Sequence, residues 1–115
     1  MHELGVVFYI IKDVKAVAVE NKVEKIDSVT VEIGEVSSVI PYYLKDCWDW
    51  AVHKEEGPIH DAKLVVETIP AVTYCENCHK EYPTVKYGKE CPYCKDNRTY
   101  LLTGNEVNIK EIQVF

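Results

Sequence analysis

The chain has 115 residues, 47% of them apolar and 28% charged with both signs interspersed. This is the make-up of one ordered unit of about 100–150 residues, or one core with a small satellite, and it argues against a disordered chain. A net charge of −6 opposes nucleic-acid binding through phosphate neutralisation, and no apolar run is long enough to offer a membrane span. The opening "MHELGVVFYIIKD" has neither a basic start nor a small-residue cleavage site after it, so a cytoplasmic protein is expected.

From Leu4 to about Asn21, Leu4, Val7, Phe8, Ile11, Val14 and Ala18 recur at helical spacing and predict one helical face. A strand is the rival reading, because β-branched residues are frequent, but Lys12, Asp13 and Lys15 interrupt any two-residue alternation. Val29, Val31 and Ile33 then alternate with Thr30 and Glu32, which predicts a half-buried strand ending at Gly34. A second helix is expected from Pro41, with Leu44, Cys47, Trp48 and Ala51 on one face and Gly57–Pro58 closing it. Cys47 reads there as a small buried hydrophobe. "AKLVVETIP" is a second strand stopped by Pro70, and "EVNIKEIQVF" a third. The apolar phase of the third changes between Ile109 and Ile112, which predicts a bulge or twist.

Between these last two strands lies "CENCHKEYPTVKYGKECPYC". Cys75 and Cys78 form one C-x-x-C pair, Cys91 and Cys94 a second. Two such turns aim four thiolates at one point, the closed tetrahedral set that structural Zn²⁺ prefers. An iron centre or a redox dithiol would use the same residues. A module of about 30 residues has too little interior to fold unaided, and zinc supplies about 10 kcal/mol of folding free energy. His79 abuts the second cysteine, but four sulfurs already close the shell. Four thiolates around Zn²⁺ leave a charge of −2, which the nearby Lys80, Lys86, Lys89, Lys95 and Arg98 offset. The fifth cysteine, Cys47, lies outside both pairs. A closed four-cysteine site leaves no open position for water or substrate, so it explains the fold of one part and not the task of the whole.

At the other end of the chain, the Met1 amine, the His2 imidazole and the backbone amides of His2 and Glu3 lie within two residues. Linked through short chelate rings, they form a planar nitrogen set suited to Ni(II) or Cu(II). The amine and imidazole must both lose protons to bind, so such a site is releasable near neutrality. The bland alternative is that Glu3 merely favours a helix N-terminus.

"MHEL" at the start, "VTVEIGEVSSVIP", the paired C-x-x-C motifs and the "NEVNIKEIQVF" ending together resemble the HypA/HybF family of hydrogenase-maturation nickel chaperones. The resemblance covers nearly the whole chain. It implies an α+β fold (an α/β sandwich): two helices on a three-stranded sheet (residues 1–70 plus 105–115), with a zinc-ribbon-like four-cysteine domain (residues 71–104) inserted before the last strand. It further implies Ni(II) bound by Met1, His2 and Glu3, and structural zinc bound by Cys75, Cys78, Cys91 and Cys94. The implied task is delivery of nickel to the large subunit of [NiFe]-hydrogenase, with urease as a further recipient in some members. Work with a nickel-handling GTPase, accessory protein B, is implied too, and no catalysis; the chain is expected to be a monomer or weak homodimer.

The sequence departs from the family pattern at three places. Ile40 precedes Pro41 where Asp, Asn or Glu is common, so any capping of the second helix falls to Ser37 or Ser38. Gly5 stands where serine is common, and Lys95 follows the last cysteine where glycine is common. The competing reading is a zinc-ribbon module that binds nucleic acid or protein; the knuckles fit it, and the net charge opposes its nucleic-acid form.

Overall fold

The computed structural model describes residues 3–115. Helix α1 (Glu3–Glu20) leads into strand β1 (Ile26–Gly34), helix α2 (Pro41–Lys54) and strand β2 (Lys63–Ile69). Strands β3 (Val72–Cys75) and β4 (Glu81–Pro83), the one-turn helix α3 (Thr84–Tyr87) and strand β5 (Thr99–Thr103) follow. Strand β6 (Val107–Val114) ends the chain. The described residues thus form two three-stranded sheets, ordered β2-β1-β6 and β4-β3-β5. The molecule is elongated, with extents of 54 × 25 × 17 Å.

Strand β1 is central to the first sheet, parallel to β2 across the α2 connection and antiparallel to β6. Val29, Val31 and Ile33 are buried against the helices as expected. The half-buried alternation is corrected at Ser28 and Thr30, which are buried too because β1 is the central strand between β2 and β6. The expected irregularity in the last strand is a bulge at Lys110. Thr30 pairs with Glu111 and Val31 with Ile109, leaving Lys110 unopposed. It reaches across the sheet to Glu67 at 3.0 Å.

Helix α1 buries Val6, Val7, Ile10, Ile11, Val14 and Ala18. This corrects the expected face at Phe8, which is half exposed. The two i, i+4 ridges that start at Val6 and Val7 define the packed stripe, and Phe8 lies one step of about 100° beyond it. Helix α2 buries Leu44, Trp48, Ala51 and Val52, and Cys47 packs half-buried at the edge of the same core. The Trp48 indole N–H donates to the Ala62 carbonyl at 2.8 Å, so the largest core side chain also ties down the loop into β2. Ile40 is the N-cap of α2 and makes no side-chain cap bond. Ser37 does not replace it, since its Oγ accepts from Val39 within the loop. Pro41 removes one of the donors that would otherwise need a cap.

The first core is built from side chains of α1, α2 and the first sheet. The second is much smaller, with Cys75, Tyr82 and Cys91 buried and Cys78 and Cys94 packed on them. The two sheets meet where β1 ends. Gly34 N–H donates to Glu106 and Val36 N–H to Gly104, while the Glu35 carboxylate accepts from the Ala71 N–H at 2.9 Å. No helix among the described residues is long and apolar enough to cross a membrane.

Candidate metal centre

Each C-x-x-C pair closes a knuckle of the same design. Cys75 N–H donates to the Lys80 carbonyl and His79 N–H to the Cys75 carbonyl; Cys91 N–H donates to Asp96 and Lys95 N–H to Cys91. In both, the residue after the second cysteine turns left-handed, at φ 60° for His79 and 66° for Lys95. That is why glycine suits the position held by Lys95.

The two knuckles face one another and bring the four sulfurs within 4.8 Å of each other. The sulfurs of Cys75 and Cys94 are 3.6 Å apart and those of Cys78 and Cys91 3.5 Å, with every cysteine free of disulfide. A tetrahedral ion with metal–sulfur bonds of about 2.3 Å has sulfur–sulfur edges of about 3.8 Å, so the four residues fit a single tetrahedral cation with little movement. Without a cation the four thiols compete for protons. Loss of solvent and the hydrogen bond with Cys91 push Cys78 up to about 12. A side-chain hydrogen bond from Asn77 and the Asp96 backbone bring Cys94 down to about 6.

The supports behind the sulfurs come from residues the sequence reading passed over or read only as charge. Arg98 donates to both oxygens of Asp96 and to Asn77 Oδ1 at 2.9 Å, bracing one knuckle against the other. Its N–H adds a bond to Asp96 at 2.7 Å. Lys80 sits 4.7 Å over the Tyr93 ring, a second brace across the pair. Arg98 is therefore a strut, not a free counter-charge. The signal was the D-x-R spacing directly after the second knuckle. His79 turns away from the sulfurs and shares a 2.8 Å hydrogen bond with the Tyr74 hydroxyl.

Of the expected N-terminal site, Met1 and His2 lie outside the described residues. Glu3 is the first residue of α1 and is half-buried. N–H groups in a first helical turn have no acceptor within the helix, so the Glu3 amide is not committed to helix bonding.

The α+β layer, with four converging cysteine sulfurs on a separate small sheet, defines a two-sheet protein able to hold a metal ion at a four-cysteine cluster. A family model described as "Hydrogenase/urease nickel incorporation, metallochaperone, hypA" matches residues 1–114. The chain is similar to the hydrogenase maturation factor HypA of a Picosynechococcus species, 29% identical over 115 residues and covering 99% of both chains. It is likewise similar to that of Actinobacillus succinogenes, 31% identical over 114 residues and 99% of both. The solution structure of the Ni metallochaperone HypA from Helicobacter pylori shares its fold, with a TM-score of 0.71 at 23% identity, covering 99% of this chain and 97% of that one. The chain belongs to the HypA family, and is thus a metallochaperone of hydrogenase maturation and not an enzyme.

Proposed function

We propose that this chain carries Ni(II) at Met1, His2 and Glu3 and delivers it to the large subunit of a [NiFe]-hydrogenase in the cytoplasm. In this reading Cys75, Cys78, Cys91 and Cys94 hold Zn(II) as a permanent structural ion. Residues 1–70 plus 105–115 form the cargo-binding domain and residues 71–104 the zinc domain. The observation that carries the reading is the family match over residues 1–114, which includes both the N-terminus and the sulfur cluster.

The chemistry supports a division of labour. Four thiolates enclose an ion and leave no open position for exchange, whereas amine, imidazole and amide nitrogens at a chain end are open on one side. Protonation of the amine and imidazole near neutrality weakens the nitrogen site, which favours handover. Cu(II) binds nitrogen donors more tightly than Ni(II), so nickel loading depends on what the cell supplies. The handover partner is a nickel-handling GTPase, accessory protein B. The family description includes urease, which makes a urease apoprotein a second acceptor to test.

The test is transfer. Nickel-loaded chain is mixed with the apo large subunit, with and without the GTPase, and nickel is followed by mass spectrometry of the separated proteins. Transfer faster than from free Ni(II) buffered to the same activity is expected. Equal rates from both sources would contradict a delivery role.

A further inference from the structure

Among the described residues, one other group of side chains converges as metal ligands do. It lies at the end of α2, in the turn that leads to β2, and comprises His53, His60 and Asp61. Nδ1 of His53 is 3.0 Å from Asp61 Oδ1, and Nε2 of His60 is 3.2 Å from Asp61 Oδ2. The two imidazoles stack at 5.8 Å between centroids, with 30° between their planes.

The hydrogen bonding of His60 does not close with protein atoms alone. Its Nδ1 lies 2.9 Å from the Glu55 carbonyl, which only accepts, so Nδ1 carries the hydrogen. In a neutral ring Nε2 then presents a lone pair, and it faces a carboxylate oxygen that also only accepts. Both side chains are about half exposed, so the pair is satisfied by water, by a second proton on the ring, or by a cation bound by both. The Nδ1–H to backbone carbonyl bond is the arrangement that orients metal-ligating histidines elsewhere, fixing the tautomer and aiming Nε2 at the ion.

The loop is anchored at its base. Ile59 is fully buried, and Asp61 N–H donates to Val52 while Ala62 N–H donates to Ile59. Asp61 sits in the left-handed region at φ 54°, a conformation that Asp tolerates better than most residues. Two hollows flank the group, one lined by Asp49 and Lys63 and the other by Glu56 and Lys25. Lys54 is drawn off over the Trp50 ring.

We propose that His53 Nδ1, His60 Nε2 and the Asp61 carboxylate form a binding site for one divalent transition ion of the nickel–copper–zinc group. Two imidazoles with one carboxylate suit these ions and not magnesium or calcium, which take oxygen donors. The site is separate from both others. It lies on the exposed surface of the helix-and-sheet layer, away from the sulfur cluster. The Lys15–Glu55 ion pair sets it beside the later turns of α1, with about 18 Å of helix between Glu3 and Lys15.

The test uses the full chain with its four cysteines filled by zinc and with His2→Ala, so that the N-terminal chelate plays no part and its own failure is read separately. Equilibrium dialysis against Ni(II) alone, then Zn(II) alone, counts further equivalents. One further ion per chain is expected, lost on adding His53→Gln with His60→Gln and weakened about tenfold or more by Asp61→Asn, which keeps the left-handed turn. In the same His2→Ala protein, free of other substitutions, Ni(II) should broaden the ring resonances of His53 and His60 before those of His79. No ion beyond the zinc, uptake that survives loss of both histidines, or broadening centred on His79 would each overturn the proposal.

Discussion

Gly34 and Gly104 meet backbone to backbone at the junction of the two sheets. A Cβ at position 34 would fall on the Gly104 carbonyl group, and one at position 104, where φ is 111°, would fall on Ala71. The "EIGE" stretch is therefore a joint. Gly34 allows the approach, and Glu35 fastens it by accepting from Ala71.

Substituting Gly34→Ala should force the two chains apart. The neighbour is backbone and not a flexible side chain, so the cost expected is about 2 kcal/mol. For a chain of this size that lowers the unfolding midpoint by about 8 °C, measurable by thermal denaturation. Metal content at the cysteines should remain unchanged, since the knuckles lie beyond the joint.

Lys95→Gly should have the opposite sign. Lys95 is held at φ 66° immediately after Cys94, where an L side chain is strained and glycine is not. The gain expected is about 0.5–1 kcal/mol after the extra chain entropy of glycine. Urea unfolding of the metal-loaded protein checks it, and a loss of stability would count against the knuckle geometry described.

Removing the metal should melt one sheet and spare the other. The second core has only Tyr82 fully buried besides the cysteines, whereas the first rests on Trp48, Ile10, Leu44 and their neighbours. A strong chelator is expected to collapse the amide dispersion of residues 72–103 in NMR spectra. Amides of α1, α2 and β1 should keep their positions and slow exchange.

Asp96 and Arg98 should govern how tightly the cluster holds its ion. Asp96→Ala frees Arg98, which then no longer orders Asn77 beside Cys94. The expected loss of metal affinity is about 10–100-fold, read by competition with a chromophoric chelator. The hydrogen bond from the Arg98 side chain keeps the Asp96 carboxyl below its usual 3.8. A depressed carboxylate supports the fold above its ordinary pKa and loses that support only as pH falls through the lowered value. Titration of the Asp96 carboxylate itself should therefore add no pH dependence to the difference between wild type and Asp96→Ala above about pH 5.

How much of this was readable in advance follows from the range of the forces involved. The C-x-x-C pairs announce themselves, because chelation is local and its spacing is written in the chain. The change of phase between Ile109 and Ile112 likewise marks the bulge at Lys110. Phe8 was misplaced because helical periodicity fixes the presence of a face better than its centre, and tertiary packing chose the Val6 ridge. The second sheet was not legible. Its strands of three to five residues flank the cysteine knuckles and carry little apolar pattern of their own. Nor was the grouping of His53 with His60 and Asp61, which arises from a left-handed turn that sequence spacing does not disclose.

The most direct test of nickel carriage at the chain end compares Ni(II) titrations of three zinc-filled proteins. These are the native-start chain, a form with a few residues left ahead of Met1, and His2→Ala. The native chain is expected to bind one ion more than either altered form, with zinc content constant throughout. Equal nickel uptake by all three would contradict the claim that the Met1 amine and the His2 ring hold the cargo.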